Sequence, residues 1–273
     1  MHFDFPIMKL LFFGDIVGKA GRRAVAKVLP AWREQYQPDI MAANVDNASH
    51  GRGITKSTLD ELVGLGIDVF SGGDHIFDNP EIDVLLADKK YPLLRPANYP
   101  PATPGSGVRR VTCGSREILF IHLQGQVFMD QHVESPFKIV DEIIKNETAI
   151  NPPSGIVVDL HAEATSEKVA LGWHLNGRVT AVLGTHTHIS TADEWIMPGG
   201  TAYQTDIGMV GARESVIGVK VENSLRRFLT QRPARFDPVE SGTVIIAATL
   251  VTFDPATARA TAIERLMELV AIS

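Results

Sequence analysis

The chain has 273 residues, a net charge of −6 and 44% hydrophobic residues, which is the composition of a soluble globular protein with a sizeable core. The acidic balance, without a basic stripe, argues against duplex nucleic acid as a partner but leaves room for a small phosphorylated ligand. One cysteine, Cys113, excludes an internal disulfide and a cysteine-based metal cluster.

The N-terminal stretch, MHFDFPIMKLLFFGD, lacks the basic region and the cleavage motif of a secretion signal. No apolar run reaches the roughly 18 residues that a membrane span needs. We therefore expect a cytoplasmic protein with no membrane partner, and we expect residues 1–7 to be a flexible N-terminal tail.

Apolar strand-like runs alternate with helix-like segments along most of the chain, which predicts an α/β fold. The predicted strands are 8–14, 39–45, 67–71, 116–123, 155–160 and 179–184. The predicted helices are 19–36, 55–65, 80–89, 136–146, 166–174 and 222–230. The first strand and the last two are nearly continuous apolar runs, which is typical of strands buried on both faces.

Shorter strand signals follow residue 190, and turn residues separate them. The segments 194–197, 201–206, 242–253 and 258–264 are predicted as antiparallel strands, with turns at 198–200 and 254–257. Residues 91–107 contain five prolines and are interpreted as an ordered loop at the rim of a site rather than as a domain linker. The whole chain, 1–273, is therefore expected to form a single domain.

Polar side chains follow five of the predicted strands, at the points where these strands end. Because the carboxyl ends of strands in an open α/β sheet lie at one edge, where ligands bind, we expect these side chains to cluster in space. Eight of them can bind a metal or move a proton: Asp15, Asp46, Asn47, Asp74, His75, His161, His186 and His188.

Each of these signals is weak alone. An aspartate or asparagine after a strand is often a turn residue, and a lone histidine on an apolar strand is usually part of the core. The most specific element is His186-x-His188, because two imidazoles at one strand end can chelate one ion or converge on neighbouring ions.

The donor types define the metal class. Carboxylates, an amide and imidazoles, without a thiolate, favour manganese, iron or zinc over a closed structural zinc site. Eight donors exceed what one such ion uses, whereas two ions sharing a bridging carboxylate would occupy them and could activate water at a phosphoryl group.

Four stretches, GDIVGKAGR (14–22), DLHAEATSEK (159–168), GTHTHISTAD (184–193) and GGTAYQTDIGM (199–209), resemble the bacterial YmdB-like branch of the calcineurin-like metallophosphoesterases. The resemblance runs almost end to end. It implies an αββα sandwich of two mixed sheets. It also implies a two-metal phosphodiesterase or phosphatase that uses a metal-activated water as nucleophile. The implied substrates include 2′,3′-cyclic nucleotides, the implied metals are iron or manganese, and the implied assembly is a homo-oligomer.

Carried over by position, the resemblance assigns Asp15, Asp46, Asn47 and His188 to one ion. It assigns Asp46 as a bridge, with Asp74, His161 and His186, to the second ion. It makes His75 the general acid that protonates the leaving oxygen. The usual pKa of a histidine, about 6.5, suits that role near neutral pH.

Two residues depart from the pattern of the branch, because Asp46 stands where glutamate is usual and Asp74 where asparagine is usual. The implied ligands then carry three carboxylates instead of two. More negative ligands should bind the ions more tightly, weaken their Lewis acidity and raise the pKa of a water between them. Asp74 should also favour the protonated form of the neighbouring His75. We therefore expect slow turnover of the family's substrates or a preference for a different ion.

Two other function classes remain open at this point. A weakened relative would bind metal and nucleotide as a regulatory or scaffold protein, and the two departures are its support. A single-metal hydrolase or lyase would use the histidines but leave several donors idle. Among neighbouring residues, Arg52 and Arg95 are interpreted as surface arginines in salt bridges, and His122 as a partly buried strand residue.

Overall fold

The computed structural model describes residues 7–273, and these residues form two β-sheets packed between helices. In chain order the strands are β1 (Met8–Phe13), β2 (Asp15–Ile16), β3 (Ile40–Asn44), β4 (Val69–Ser71), β5 (Leu93–Leu94), β6 (Val108–Cys113), β7 (Arg116–Gln124), β8 (Gly155–His161), β9 (Ala181–Thr185), β10 (Trp195–Ile196), β11 (Ala202–Gln204), β12 (Met209–Ala212), β13 (Gly242–Asp254) and β14 (Arg259–Ile272). The helices are α1 (Gly18–Tyr36), α2 (Lys56–Gly64), α3 (Ile82–Ala87), α4 (Pro136–Ile150), α5 (Thr165–Leu175) and α6 (Val221–Thr230), with a 3₁₀ turn at Ile76–Asp78.

Both sheets mix parallel and antiparallel pairs. The eight-stranded sheet has the order β2-β12-β13-β1-β3-β4-β5, and β14 pairs with β13 outside this path. The six-stranded sheet has the order β10-β11-β9-β8-β7-β6. The two sheets face each other across a shared apolar layer, and the helices cover their outer faces, which confirms the predicted αββα sandwich.

Strand β1 shows how the sequence builds these layers. Its alternate residues Leu10 and Phe12 belong to the apolar layer between the sheets, whereas Leu11 and Phe13 belong to the layer under α1. The ring of Trp32 on α1 stacks on Phe13 with centroids 5.5 Å apart. Burial on both faces explains why this run carries no polar alternation.

The predicted strands and helices are all present, and their ends differ by a few residues except in β14. The predicted antiparallel pairs β10–β11 and β13–β14 are confirmed. The sequence did not indicate β2, β5, β6 or β12. Two of these have two residues each, too few for a periodic signal, and β6 carries polar residues along a partly exposed edge. Strand β14 extends well beyond the predicted 258–264, to Ile272.

The proline-rich segment 91–107 is an ordered loop fastened by Arg95. This side chain is buried, and its guanidinium donates hydrogen bonds to the carbonyl oxygens of Pro96, Thr103 and Pro104. The interpretation of Arg95 as a surface arginine in a salt bridge is therefore wrong. The sequence could not show this, because the acceptors belong to the backbone of the loop itself.

Two further expectations concern the N-terminal tail and membrane-spanning helices. The tail expected at residues 1–7 falls, except for Ile7, outside the described residues. Among residues 7–273, no helix is both long enough and apolar enough to span a bilayer.

A buried ion pair fixes the end of β9, where the His186-x-His188 motif begins. The Nζ of Lys168 on α5 donates to Oδ2 of Asp206 at 2.6 Å and to the carbonyl oxygen of Thr185 at 2.8 Å. The Asp206 carboxylate also accepts hydrogen bonds from the backbone N–H groups of Thr187 and Gly208. Both charged side chains are about 1% exposed, so neither can exchange its partner for water.

Replacing Lys168 with methionine should therefore destabilise the protein strongly, because Asp206 would remain buried without a counter-charge. Breaking a buried pair in this way typically costs about 3–5 kcal/mol in free energy of unfolding. Urea unfolding measures this, with Lys138→Met on the exposed face of α4 as a matched control that should leave stability nearly unchanged. A loss below about 1 kcal/mol for Lys168→Met would show that the pair does not carry this part of the fold.

Candidate metal centre

All eight predicted site residues lie together at the carboxyl ends of the strands. A chain of polar contacts no longer than 3.9 Å connects them across both sheets. Their arrangement divides into two groups. The first group is centred on His188, and the second on His161.

In the first group, the Nε2 atom of His188 faces two oxygens. The Nδ1 atom lies 2.8 Å from the carbonyl oxygen of Ile217, which can only accept, so Nδ1 carries the ring hydrogen. Burial lowers the pKa of His188, so the ring is neutral and Nε2 has a lone pair and no hydrogen. That lone pair points to Oδ1 of Asn47 at 3.1 Å and lies 3.9 Å from Oδ1 of Asp15.

Neither oxygen donates a hydrogen bond to Nε2, since Asp15 lies too far away and Asn47 turns its amide oxygen toward the ring. The amide nitrogen of Asn47 donates to the carbonyl oxygen of Gly51 at 3.1 Å, which fixes the amide with its oxygen toward His188. Oδ1 of Asp15 is buried and has no hydrogen-bond partner among the described residues. Burial raises the pKa of Asp15 to about 7, against the attraction of His161. Burial opposes the negative charge of Asp15, and Nε2 of His188 faces Oδ1 of Asn47 without a hydrogen between them, so a cation beside these three atoms would be stabilised by all of them.

In the second group, three donor atoms form a compact triangle. Nε2 of His161 lies 3.1 Å from Oδ1 of Asp74 and 3.1 Å from Nδ1 of His186, and the third edge, from Asp74 to His186, is 3.3 Å. Donors about 2.1 Å from one ion are roughly 3.0 Å apart at right angles and roughly 3.4 Å apart in a tetrahedron. The three edges of the triangle therefore match the distances between ligand atoms that share one metal ion.

The electrostatics of this group also favour a cation. Burial raises the pKa of Asp74, but hydrogen bonds from His161 and His186 outweigh it and keep that pKa below its usual range. Burial lowers the pKa of His161, but Asp46 and Asp74 outweigh it and raise that pKa well above the ordinary value. Oδ2 of Asp46 lies 3.5 Å from Nε2 of His161, so a further carboxylate borders the triangle. Its predicted role as a bridge to the first group stays a prediction.

The two motif histidines are held in a strained backbone. His186 has φ = 101° and His188 has φ = 66°, both in the left-handed region that residues with a Cβ rarely adopt. The backbone N–H of His186 donates to Oδ2 of Asp15 at 3.1 Å, which helps to hold this conformation. The strained turn directs both imidazoles into the centre.

His75 lies at the mouth of the centre, with its side chain 23% exposed. Its Nδ1 lies 3.0 Å from Oδ2 of Asp78, and its Nε2 lies 3.7 Å from Oδ2 of Asp74. Because a carboxylate only accepts, Nδ1 donates to Asp78, and Nε2 is the atom directed toward the site. The backbone N–H of His75 donates to both carboxylate oxygens of Asp46.

Several contributing residues were not indicated by the sequence. Asp78 orients His75, and Glu163, in the turn before α5, lies 3.4 Å from Nε2 of His186. Tyr99, in the loop 91–107, packs against Phe77 with ring centroids 5.3 Å apart. Because Phe77 lies in the 3₁₀ turn directly after His75, this contact brings the loop to the rim of the centre. Burial, together with the charges of Asp46 and Asp74, raises the pKa of Tyr99.

Of the neighbouring residues weighed from the sequence, His122 differs from its prediction, whereas Arg52 forms the surface salt bridge predicted for it. His122 is completely buried, not partly buried as expected, and its Nδ1 lies 3.1 Å from Oδ2 of Asp159. Burial raises the pKa of Asp159, but His122 outweighs it and holds that pKa below its usual range. Arg52 is exposed and lies 3.8 Å from Asp78 at the rim.

Comparisons with known proteins agree with this architecture. The sequence model of the family described as YmdB-like protein matches residues 11–266. A 2′,3′-cyclic-nucleotide 2′-phosphodiesterase from Bacillus subtilis (strain 168) is 41% identical over 260 residues, which are 95% of this chain and 97% of that protein.

Two solved structures are similar over nearly the whole chain. A novel phosphatase from Mycoplasma pneumoniae has a TM-score of 0.91 and 30% identity, covering 98% of this chain and 95% of that chain. A hypothetical protein from Thermus thermophilus has a TM-score of 0.89 and 40% identity, covering 96% of this chain and 99% of that chain.

Gly73 provides a test of the second group, because a Cβ at this position would lie 2.3 Å from Nε2 of His161 and 2.7 Å from Cγ of Asp46. Gly73→Ala should therefore displace these side chains and lower the metal content of the protein to at most one ion per chain. Elemental analysis after dialysis against Mn²⁺ measures the metal content.

Gly64→Ala serves as the control, because a Cβ there meets nothing within 4 Å at the end of α2. It should keep the full metal content and unfold at the same or a slightly higher temperature. Full metal content in Gly73→Ala would contradict the assignment of His161 and Asp46 to one cation site.

Proposed function

The chain belongs to the YmdB-like protein family and is a phosphoric ester hydrolase with the calcineurin-like metallophosphoesterase fold, and we propose that it hydrolyses phosphodiesters of small nucleotides at a centre of two metal ions. The proposed substrates are 2′,3′-cyclic nucleotides, because a relative that is 41% identical is named for them. A homo-oligomer stays a prediction from the resemblance.

The main support for this proposal is the arrangement of the first group, in which acceptor atoms face one another without a hydrogen bond between them. Nε2 of His188 and Oδ1 of Asn47 face each other without a hydrogen between them, and Oδ1 of Asp15 is buried beside them without a partner, so a cation there would interact favourably with all three atoms. The triangle of Asp74, His161 and His186 supports a second ion. When bound, the two ions would polarise a phosphoryl group and lower the pKa of an attacking water.

The oxygen and nitrogen donors suit iron or manganese, with zinc as a further option. Asp15, Asn47 and His188 would bind one ion, and Asp74, His161 and His186 the other. Asp46 would contribute its carboxylate to both. Its rigid place beside His161 is supported by two hydrogen bonds from the backbone N–H of His75.

We assign His75 as the general acid. Its Nδ1 hydrogen is engaged by Asp78, so only Nε2 can deliver a proton into the site. The side chain is partly exposed, so it can recover a proton from water after each turnover. The leaving oxygen of the substrate would take the proton from Nε2.

The regulatory or scaffold alternative and the single-metal alternative differ from this proposal in measurable ways. Purified protein loaded with Mn²⁺ or Fe²⁺ should contain two ions per chain and hydrolyse 2′,3′-cyclic AMP and a chromogenic phosphodiester. Two ions without turnover of any phosphoester would support the binding protein instead. One ion per chain with turnover would support the single-metal hydrolase.

Asp74→Asn tests the effect of the additional carboxylate. Its Oδ1 lies within 3.3 Å of both His161 and His186, so its charge acts directly on the second ion. Removing that charge should weaken binding of this ion severalfold and raise kcat at saturating metal severalfold, because a more positive ion is a stronger Lewis acid. Metal titration and steady-state kinetics with Mn²⁺ and Fe²⁺ measure the two effects.

The control for this experiment is Asp83→Asn, which removes the same charge from an exposed side chain on α3. It should change neither metal affinity nor kcat. If Asp74→Asn lowers both metal content and kcat, Asp74 is needed for activity and does not weaken it.

A further inference from the structure

A buried row of three side chains lies directly behind the second group. The Oγ1 atom of Thr185 lies 2.8 Å from Oδ1 of Asp159 and 2.9 Å from Nδ1 of His161. All three side chains are buried, so water does not compete for these contacts. No sequence pattern singles out Thr185 or Asp159.

The register of the parallel strands produces this row. His161 on β8 is paired with Thr185 on β9, and Asp159 is two residues before His161 on the same strand. Residues two apart on a strand point to the same face. The row is therefore set by the backbone and does not depend on a mobile loop.

The number of hydrogens available determines which atom donates in each hydrogen bond of the row. A carboxylate only accepts, so the single hydroxyl hydrogen of Thr185 goes to Asp159. The oxygen of Thr185 can then only accept from the imidazole, so Nδ1 of His161 carries a hydrogen. When a metal ion replaces the hydrogen on Nε2, this atom presents its lone pair in the direction of Asp74 and His186.

Asn44 is the other polar group near Nδ1 of His161, and its contacts are longer. Its amide nitrogen lies 3.4 Å from Nδ1 and 3.5 Å from Oγ1 of Thr185, but donates at 2.7 Å to the carbonyl oxygen of Gly72. Its amide oxygen accepts from the backbone N–H of Asp46, which fixes the orientation of the group. Thr185 is thus the partner that determines where the hydrogen of His161 lies.

We propose that Asp159 and Thr185 are positioning residues that hold His161 with its hydrogen on Nδ1 and present Nε2 to the second metal ion. This rests on the proposed function, in which His161 is a ligand of that ion. Partners that orient a metal-binding histidine typically contribute about 10–100-fold to metal affinity. In this proposal the hydrogen bond of the Thr185 hydroxyl, and not the volume of the side chain, contributes to the affinity for the second metal ion.

Thr185→Val and Thr185→Ser separate these two contributions. Valine keeps the shape and removes the hydroxyl, whereas serine keeps the hydroxyl and loses a methyl group. Calorimetric titration of the metal-free protein with Mn²⁺ should show two sites in the wild type and in Thr185→Ser. In Thr185→Val the affinity of one site should fall about tenfold or more, while the other site is unchanged.

Thr180→Val is the matched control. Thr180 is also buried, directly before the first residue of β9, and its hydroxyl donates to the carbonyl oxygen of Ala258. Its loss should lower the unfolding temperature but leave both Mn²⁺ affinities unchanged. If Thr185→Val does not fold, Asp159→Asn replaces it, because an amide can donate to Thr185 and reverse the direction of the row; the same loss at one site is expected.

The outcomes separate the inference from the proposed function. Wild-type affinity at both sites in Thr185→Val, or in Asp159→Asn where that variant replaces it, would overturn the inference and leave the two-metal centre intact. An equal loss in Thr185→Val and Thr185→Ser would also overturn it, because the hydroxyl would then not be the cause. Failure of the wild-type protein to bind two Mn²⁺ ions would overturn the proposed function itself.

Discussion

The centre depends on buried carboxylate, amide and imidazole groups whose atoms a positive charge must balance. Two of its histidines have one ring nitrogen committed to a partner that fixes its hydrogen, the Ile217 carbonyl for His188 and the Thr185 hydroxyl for His161. The remaining nitrogens face carboxylate and amide oxygens across about 3 Å. Such an arrangement is unfavourable in a buried site unless a cation balances it, and a cation is what a phosphoester hydrolase of this fold requires.

The rest of the structure holds these atoms in place against their repulsion. Parallel strands from both sheets end at one edge, so residues distant in the sequence converge there. Gly73 allows the loop after β4 to approach His161 more closely than any other residue could. The Lys168–Asp206 pair holds the backbone that leads into the strained histidine turn. Stability elsewhere in the fold therefore offsets strain at the centre.

The sequence predicted the strand ends and the residue types at them, because long apolar runs and histidine pairs are local signals. It could not identify Thr185, Asp78 or the role of Arg95. Their partners are distant along the chain or belong to the backbone, and threonine or arginine in a loop has many ordinary roles. Short strands such as β12 were missed for a related reason, since only their pairing with β13 and β2 defines them.

The most direct test of two cation sites is anomalous diffraction from crystals of the protein soaked in Mn²⁺. We predict two anomalous peaks per chain, one bonded to Nε2 of His188 and Oδ1 of Asn47 and the other to His161, His186 and Asp74. A single peak, or peaks away from these atoms, would contradict the account.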